Sequence, residues 1–153
     1  MSAADARTVS AMDPPPNRSD RSGLPPRMGL LERLFGGGAP KAMPVHVDDS
    51  NFEREVLRSD LPVVLDVWGP DCVPCRHLEP IVMRLAGRYQ GRVKIAEVNA
   101  AAAPRTVARL SVQGTPTVVF FRRRREVERV VGFKGEAWLD EVIQTDLLDA
   151  PGA

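Results

Sequence analysis

The sequence predicts an α/β fold in which helices flank both faces of a central mixed β-sheet. Short apolar runs bounded by turn-forming residues alternate with stretches whose apolar residues recur at helical spacing. Near the C-terminal end, two apolar runs follow each other across a short turn and precede one last helical pattern, which indicates a hairpin and a terminal helix. No internal repeat is present. Interleaved strands and helices followed by a hairpin favour a sheet with both parallel and antiparallel pairs.

Five segments have the length and composition of strands. The second of them is a continuous apolar run, which is typical of a central strand covered on both faces, although it contains an aspartate. The first is short enough to be an edge strand, and the last two form the hairpin. In chain order, the predicted strands are residues 45–47, 63–68, 93–98, 117–121 and 127–131.

The helices are predicted from their ends and from apolar spacing. Residues 48–50 supply N-cap side chains for a helix through about Leu57. Pro74 suits the first turn of the longest helix, which Pro80 is expected to kink and which ends before Gly91. Two further helices are predicted at residues 104–110 and 136–148.

Composition divides the chain into three parts. Residues 1–44 are rich in proline and glycine and poor in apolar residues, which predicts a disordered extension containing one brief helix at residues 28–35. Met28 is therefore a candidate for the true first residue. The folded domain is predicted at residues 45–148, and residues 149–153 form a short tail.

Charge and hydropathy exclude several classes of partner. A formal net charge of +1 offers no general attraction to nucleic acid or to an anionic membrane. No segment approaches the length of a membrane span, and the first residues lack the basic and apolar parts of a secretory signal. We therefore expect a cytoplasmic protein, and nothing in the sequence demands more than a monomer.

The most informative motif is the run W-G-P-D-C-V-P-C, which holds the only cysteines, Cys72 and Cys75. Two cysteines cannot form a disulfide scaffold or a four-thiolate zinc site within one chain, and His46 and His77 do not complete a convincing metal set. A C-x-x-C pair between a strand and a helix provides a nucleophilic and a resolving thiol on one helical turn. The motif therefore predicts dithiol–disulfide exchange and no metal site.

Residues 45–148 resemble the thioredoxin family. The resemblance depends on the apolar strand at residues 64–68 leading into the C-V-P-C motif, on Pro80 in the following helix, on the G-T-P-T run at residues 114–117, and on Gly132 after the hairpin. It implies a thioredoxin-like fold with four or five strands, in agreement with the elements derived above.

The position of the motif and the resemblance together suggest roles for three residues. Cys72 is the predicted nucleophile, because unpaired N–H groups and the positive end of the dipole at a helix N-terminus favour a thiolate. Cys75 would resolve the mixed disulfide. Asp66 resembles the buried carboxylate of the family, which implies that it accepts the proton of Cys75; alternatively, it is a strand-end aspartate that only caps backbone groups.

The resemblance also implies a client-binding surface around the dithiol. Pro116 resembles the cis proline of the family, which exposes the Thr115 backbone to an extended client strand; an ordinary trans proline is the alternative. Taken alone, Trp68 is more often a residue of simple core packing. The predicted substrate-binding residues are Trp68, Pro70, Asp71, Val73, Pro74, Thr115, Pro116 and Gly132.

Three positions depart from the family pattern. Asp71 stands where the family usually has tryptophan, and its charge should disfavour the Cys72 thiolate and repel acidic clients. Val73 replaces the usual glycine between the cysteines. Glu97 stands where a lysine commonly lies beside the buried aspartate, so an inward-facing Glu97 should raise the pKa of Asp66 further.

These observations predict a protein-disulfide reductase that contributes to cell redox homeostasis. The resemblance implies that the Cys72–Cys75 disulfide is the redox centre, that no cofactor is bound, and that NADPH reduces the disulfide through thioredoxin reductase. Disulfide-containing proteins would be the clients. The alternatives are a thiol oxidant or isomerase, and a chaperone-like module that binds clients without turnover.

Overall fold

Five strands form one mixed sheet in the computed structural model, which describes residues 42–149. Their bounds are β1 Val45–Val47, β2 Val63–Trp68, β3 Lys94–Asn99, β4 Thr117–Arg122 and β5 Arg125–Val131. The order across the sheet is β1, β3, β2, β4, β5. Strands β1 and β2 run parallel to β3, whereas β4 is antiparallel to both β2 and β5. The predicted mixed sheet is therefore confirmed, with β1 at one edge and β2 at the centre.

The helices connect and cover these strands. They are α1 Glu53–Leu57, α2 Val73–Arg88, α3 Pro104–Arg109 and α4 Glu136–Val142, which continues directly as the wider helical segment Ile143–Leu148. In α1 and in this terminal segment the backbone closes wider turns than in an α-helix: the N–H of Arg58 donates to the carbonyl of Glu53 at 2.8 Å, five residues earlier.

Two apolar clusters lie on opposite faces of the sheet. Along β2 the side chains alternate, so that Val64 packs with α2 and α4 while Val63, Leu65 and Val67 pack with α1 and α3. Each face of the sheet is thereby covered by helices, as the long apolar run of β2 predicts. The alternation also assigns Asp66 and Trp68, which share the parity of Val64, to the face that packs on α2.

A buried tyrosine attaches the C-terminal end of α2 to α4. Tyr89 is fully buried, and its hydroxyl donates to Asp140 Oδ1 at 2.7 Å while accepting from Gln144 Nε2 at 2.8 Å. The guanidinium of Arg88 binds both Asp140 and Glu136. These bonds place the long helix on the same face of the sheet as the terminal helix.

Most predicted elements agree with this fold, and several of their bounds differ by one or more residues. The side chain of Asp48 does cap the chain, accepting from Ser50 N and Asn51 N, but the helix it precedes begins only at Glu53. Helix α2 runs from Val73 to Arg88 through Pro80, which supplies no N–H to the helix, and the expected kink at Pro80 stays a prediction. Strand β5 begins at Arg125, two residues before the predicted start.

Some predictions fall on residues that the structure does not describe. They are the brief helix at residues 28–35, the character of residues 1–41 and the tail beyond residue 149. None of the helices between residues 42 and 149 has both the length and the apolar character that crossing a lipid bilayer requires.

Candidate active site

The two cysteines lie at the point where β2 leads into α2. They form a disulfide, with their Cα atoms 5.2 Å apart. Cys72 is the N-cap of α2, and its Sγ accepts a hydrogen bond from the backbone N–H of Cys75 at 3.3 Å. Cys72 is partly exposed, whereas Cys75 is 6% exposed. The two sulfurs therefore differ in access: an incoming group can reach Cys72, while Cys75 is covered.

Local sequence explains this placement. Pro74 lies in the first helical turn, where the missing N–H costs nothing because the first N–H groups of a helix have no carbonyl partner within it. No acidic residue occupies that first turn. The free N–H groups and the positive end of the helix dipole therefore face the Cys72 sulfur, an arrangement that favours a thiolate once the disulfide is reduced.

A cavity of about 340 Å³ opens beside the disulfide. It lies between the C-terminal end of β2 and the first turns of α2, and both cysteines contribute to its wall. The lining residues are Met43, Pro44, Asp66, Trp68, Gly69, Pro70, Asp71, Cys72, Cys75, Arg76, Glu79, Val82, Met83 and Glu97.

Asp66 is the most perturbed titratable group of this cavity. Asp66 is 4% exposed, and this burial raises the pKa of its carboxyl to about 7. The negative charges of Glu97 and Glu79 raise this pKa by smaller amounts. Within the described residues, neither Asp66 Oδ1 nor the nearby Trp68 Nε1 has a hydrogen-bond partner. Asp66 is therefore a buried carboxyl that gains and loses its proton near neutral pH.

The sheet register explains why Glu97 acts on Asp66. Glu97 of β3 pairs with Asp66 of β2 on one side and with His46 of β1 on the other. His46 Nδ1 lies 3.9 Å from Glu97 Oε1, and the Glu97 side chain remains 35% exposed. The expectation that an inward Glu97 raises the pKa of Asp66 thus agrees in direction with the structure.

The loop before β4 adjoins the loop that carries the dithiol. The peptide bond between Thr115 and Pro116 is cis, as the resemblance implies. A Cβ on Gly69 would lie 3.2 Å from Thr115 Oγ1, so any larger residue would require the Thr115 side chain to shift by a few tenths of an ångström, whereas glycine leaves room for this close approach of the two loops. The carbonyl of Pro116 accepts from Gly132 N at 2.8 Å, which joins Gly132 to the same assembly.

The predicted site residues thus fall into two connected groups. The cavity wall includes Asp66, Trp68, Pro70, Asp71, Cys72 and Cys75. The remaining five do not line the cavity: Val73 and Pro74 lie exposed on the first turn of α2, and Thr115, Pro116 and Gly132 belong to the adjoining loops.

Sequence reasoning missed Glu79 and Gly69, besides other residues of the cavity wall. Glu79 lines the cavity one helical turn after Cys75, and this i, i+4 spacing on a predicted helix was a usable signal. Gly69 is the second, and its position between Trp68 and Pro70 gives no indication that Thr115, far along the chain, will approach it. Among residues 42–149, no group of three histidine, cysteine, aspartate or glutamate side chains is arranged to hold a metal ion.

A redox-active C-x-x-C pair at the N-terminus of a helix, packed on a mixed five-stranded sheet, defines a thiol–disulfide oxidoreductase. The Thioredoxin family model matches residues 43–145. The chain therefore belongs to the thioredoxin family and is a thioredoxin-type disulfide oxidoreductase.

Several thioredoxins are similar to this chain. Thioredoxin 1 of Nostoc sp. is 36% identical over 101 residues, which cover 66% of this chain and 94% of that protein. Thioredoxin of Thiocapsa roseopersicina is 43% identical over 84 residues, covering 55% and 91% respectively. The chloroplastic M-type thioredoxin of Pisum sativum is 35% identical over 98 residues, which cover 64% of this chain and 57% of that protein.

Proposed function

We propose that this protein reduces disulfides in other proteins through a mixed-disulfide intermediate. The observation that carries the proposal is the asymmetry of the dithiol: Cys72 is accessible and its Sγ accepts the Cys75 N–H, while Cys75 is covered. An accessible nucleophile beside a protected second thiol is the arrangement that two-step exchange requires.

The exchange begins with the reduced protein. The Cys72 thiolate attacks one sulfur of a client disulfide, forms a new S–S bond to it, and releases the other client sulfur as a thiolate. Cys75 then loses its proton and attacks Cys72 Sγ, which forms the Cys72–Cys75 disulfide and releases the second client sulfur. The client gains two electrons, and the protein is left in the oxidised state found here.

Asp66 is the proposed acceptor of the Cys75 proton. Both residues line the same cavity, and the pKa of Asp66 is about 7, so a large fraction of the carboxyl is available as a base at neutral pH. A cavity of about 340 Å³ with a polar wall has room for water, which could carry the proton between them. The absence of a hydrogen bond to Asp66 Oδ1 among residues 42–149 favours this role over the alternative, capping of backbone groups.

The proposed client surface surrounds the partly exposed Cys72. Val73, the next residue, is 51% exposed. The cis bond at Pro116 and the hydrogen bond from Gly132 N to the Pro116 carbonyl support the proposal that the Thr115 backbone pairs with an extended client strand. Trp68, Pro70, Asp71 and Pro74 complete this surface.

NADPH, acting through thioredoxin reductase, is the proposed source of electrons, and thioredoxin reductase would be the main partner besides the clients. This assignment comes from the family and would make the protein part of cellular electron transport and redox homeostasis. The expected cytoplasmic location and monomeric state stay predictions, and the names of some relatives include a chloroplastic location.

The test is insulin reduction driven by NADPH and thioredoxin reductase, comparing the protein with its Cys72→Ser and Cys75→Ser variants. We expect turnover by the protein and by neither variant, and a covalent adduct with insulin only in Cys75→Ser. Turnover that survives Cys72→Ser would contradict the proposed nucleophile. Client binding without turnover in the unmodified protein would favour the chaperone-like alternative.

A further inference from the structure

The cavity beside the dithiol carries a strong imbalance of charge. Four carboxylate side chains line it, against one cationic side chain, Arg76. The carboxylates belong to Asp66, Asp71, Glu79 and Glu97. Because the whole chain has a formal net charge of only +1, this local excess is a property of the cavity and does not follow from the overall composition.

A second observation is an unpaired carboxyl oxygen in the wall of the cavity. Asp66 is 4% exposed and lines the cavity, yet its Oδ1 has no hydrogen-bond partner among the described residues. Buried polar atoms are normally paired, so an unpaired carboxyl oxygen beside a second carboxylate favours a group that donates hydrogen bonds and carries positive charge. Among residues 42–149, the one ion-pair partner of Glu97 within 4.0 Å is the imidazole of His46, whose Nδ1 lies 3.9 Å from Glu97 Oε1 and which carries a charge only when protonated.

The rest of the wall matches the chemistry of a long basic side chain. Trp68, Val82 and Met83 add apolar surface to the carboxylates. Lysine and arginine combine an apolar stem with a charged end, and such side chains bury the stem while the charge contacts polar groups. Aromatic rings such as that of Trp68 also attract cations.

We propose that this cavity is a subsite for a lysine or arginine side chain of the client, so that the protein prefers disulfides flanked by basic residues. The inference rests on the proposed function and adds its substrate class. Because Cys72 is part of the cavity wall, a client sulfur bound to it brings neighbouring client residues to the cavity. Val73 and Phe133 do not line the cavity, and they are apolar side chains that are 51% and 46% exposed.

The test uses the reduced Cys75→Ser variant, which stops at the mixed disulfide, and three small disulfides of similar size. They are cystamine, which is cationic, 2-hydroxyethyl disulfide, which is neutral, and 3,3′-dithiodipropionate, which is anionic. The second-order rate of adduct formation at Cys72 is followed by mass spectrometry at pH 8 and low salt. Each rate is divided by the rate of the same disulfide with 2-mercaptoethanol, which removes differences in intrinsic reactivity.

We expect the normalised rate for cystamine to exceed that for the neutral disulfide about tenfold, and the anionic disulfide to be slowest. A tenfold preference equals about 1.4 kcal/mol, which two or three partly exposed charge pairs can supply. Added salt should reduce it. Glu79→Gln combined with Glu97→Gln should reduce the preference to about twofold. The matched control, Glu128→Gln with Glu141→Gln, removes the same charge at two exposed residues outside the cavity and should preserve the preference.

The results that would contradict the subsite differ from those that would contradict the proposed reductase. Equal normalised rates for the three disulfides would overturn the subsite while leaving the proposed reductase intact, since adducts still form. A cationic preference that persists in Glu79→Gln with Glu97→Gln would show that the cavity is not its source. Absence of an adduct with every disulfide would overturn Cys72 as the nucleophile, and the subsite with it.

Discussion

The substitution Asp66→Asn should make the protein more stable at alkaline pH but not at acidic pH. The carboxyl has a pKa of about 7 in the folded protein against an ordinary value of 3.8. One pH unit corresponds to about 1.4 kcal/mol, so this gap of about three units amounts to about 4 kcal/mol. Asparagine has nearly the same shape and never ionises, so its variant avoids this cost of ionising a buried carboxyl.

The sign follows from which state binds the proton. Below pH 4 the carboxyl is protonated in both the folded and the unfolded protein, and Asp66 makes no pH-dependent contribution. Between pH 4 and 7 the unfolded chain ionises first, so the stability of the protein with Asp66 falls as pH rises. Above pH 7 both states are ionised, and the full destabilisation of about 4 kcal/mol remains.

The measurement is urea denaturation of the oxidised protein and of Asp66→Asn at pH 4, 6, 7 and 9. The difference in unfolding free energy should grow by about 4 kcal/mol from pH 4 to pH 9, with most of the change complete by pH 7. Asp60→Asn is the matched control, because Asp60 is an exposed aspartate and its substitution should produce no such growth. A difference that stays within about 1 kcal/mol across this range would refute the reasoning that burial raises the pKa of Asp66.

Three further predictions concern neighbouring interactions. Glu97→Gln should lower the pKa of Asp66, because it removes a nearby negative charge, and an NMR titration of the Asp66 carboxyl that moved upward would contradict this. Tyr89→Phe should lower the unfolding free energy by about 1 to 2 kcal/mol in urea denaturation, since two partly buried hydrogen bonds are lost; an unchanged value would show that they contribute nothing. Gly132→Ala should lower the unfolding free energy by about 1 kcal/mol, because the φ of Gly132 is +88°. Gly87→Ala, in the middle of α2, should raise it by about 0.5 to 1 kcal/mol in the same assay. Equal effects of the two glycine substitutions would argue against a conformational cause.

The sequence predicted elements better than it predicted their ends. The apolar run of β2 and the helical spacing of α2 are strong local signals, and both elements match. The turn of the hairpin was harder to predict, because Arg123 and Arg124 form it with positive φ angles. Glycine and asparagine are the residues that usually indicate this conformation. A run of arginines carries no such signal, so the second strand was expected to begin later than Arg125.

In the candidate site, too, contacts between residues that are close in sequence could be predicted, whereas contacts that depend on tertiary structure could not. Cys72 and Cys75 are neighbours on one helical turn, and the parity of β2 directs Asp66 to the same helix, so local patterns suffice to group them. The pairing of Glu97 with Asp66 needs the register between two strands, and the approach of Gly69 to Thr115 needs the packing of two loops. Contacts of this second kind arise from tertiary structure, and a single sequence contains no direct measure of them.

The energetics of Asp66 also bear on why an aspartate stands in a central strand. Its neighbours in β2, Val64 and Leu65, are buried apolar side chains that stabilise the sheet, whereas an ionised Asp66 opposes folding at neutral and alkaline pH. Packing therefore gives no reason for a carboxyl at this position. A proton acceptor that must work near neutrality does, because the same burial that destabilises the folded protein brings the pKa to about 7. We expect Asp66→Asn to be more stable and, in the same variant, Cys75 to resolve mixed disulfides more slowly. That result would show that burial of the Asp66 carboxyl both lowers the stability of the fold and makes the carboxyl a proton acceptor near neutral pH.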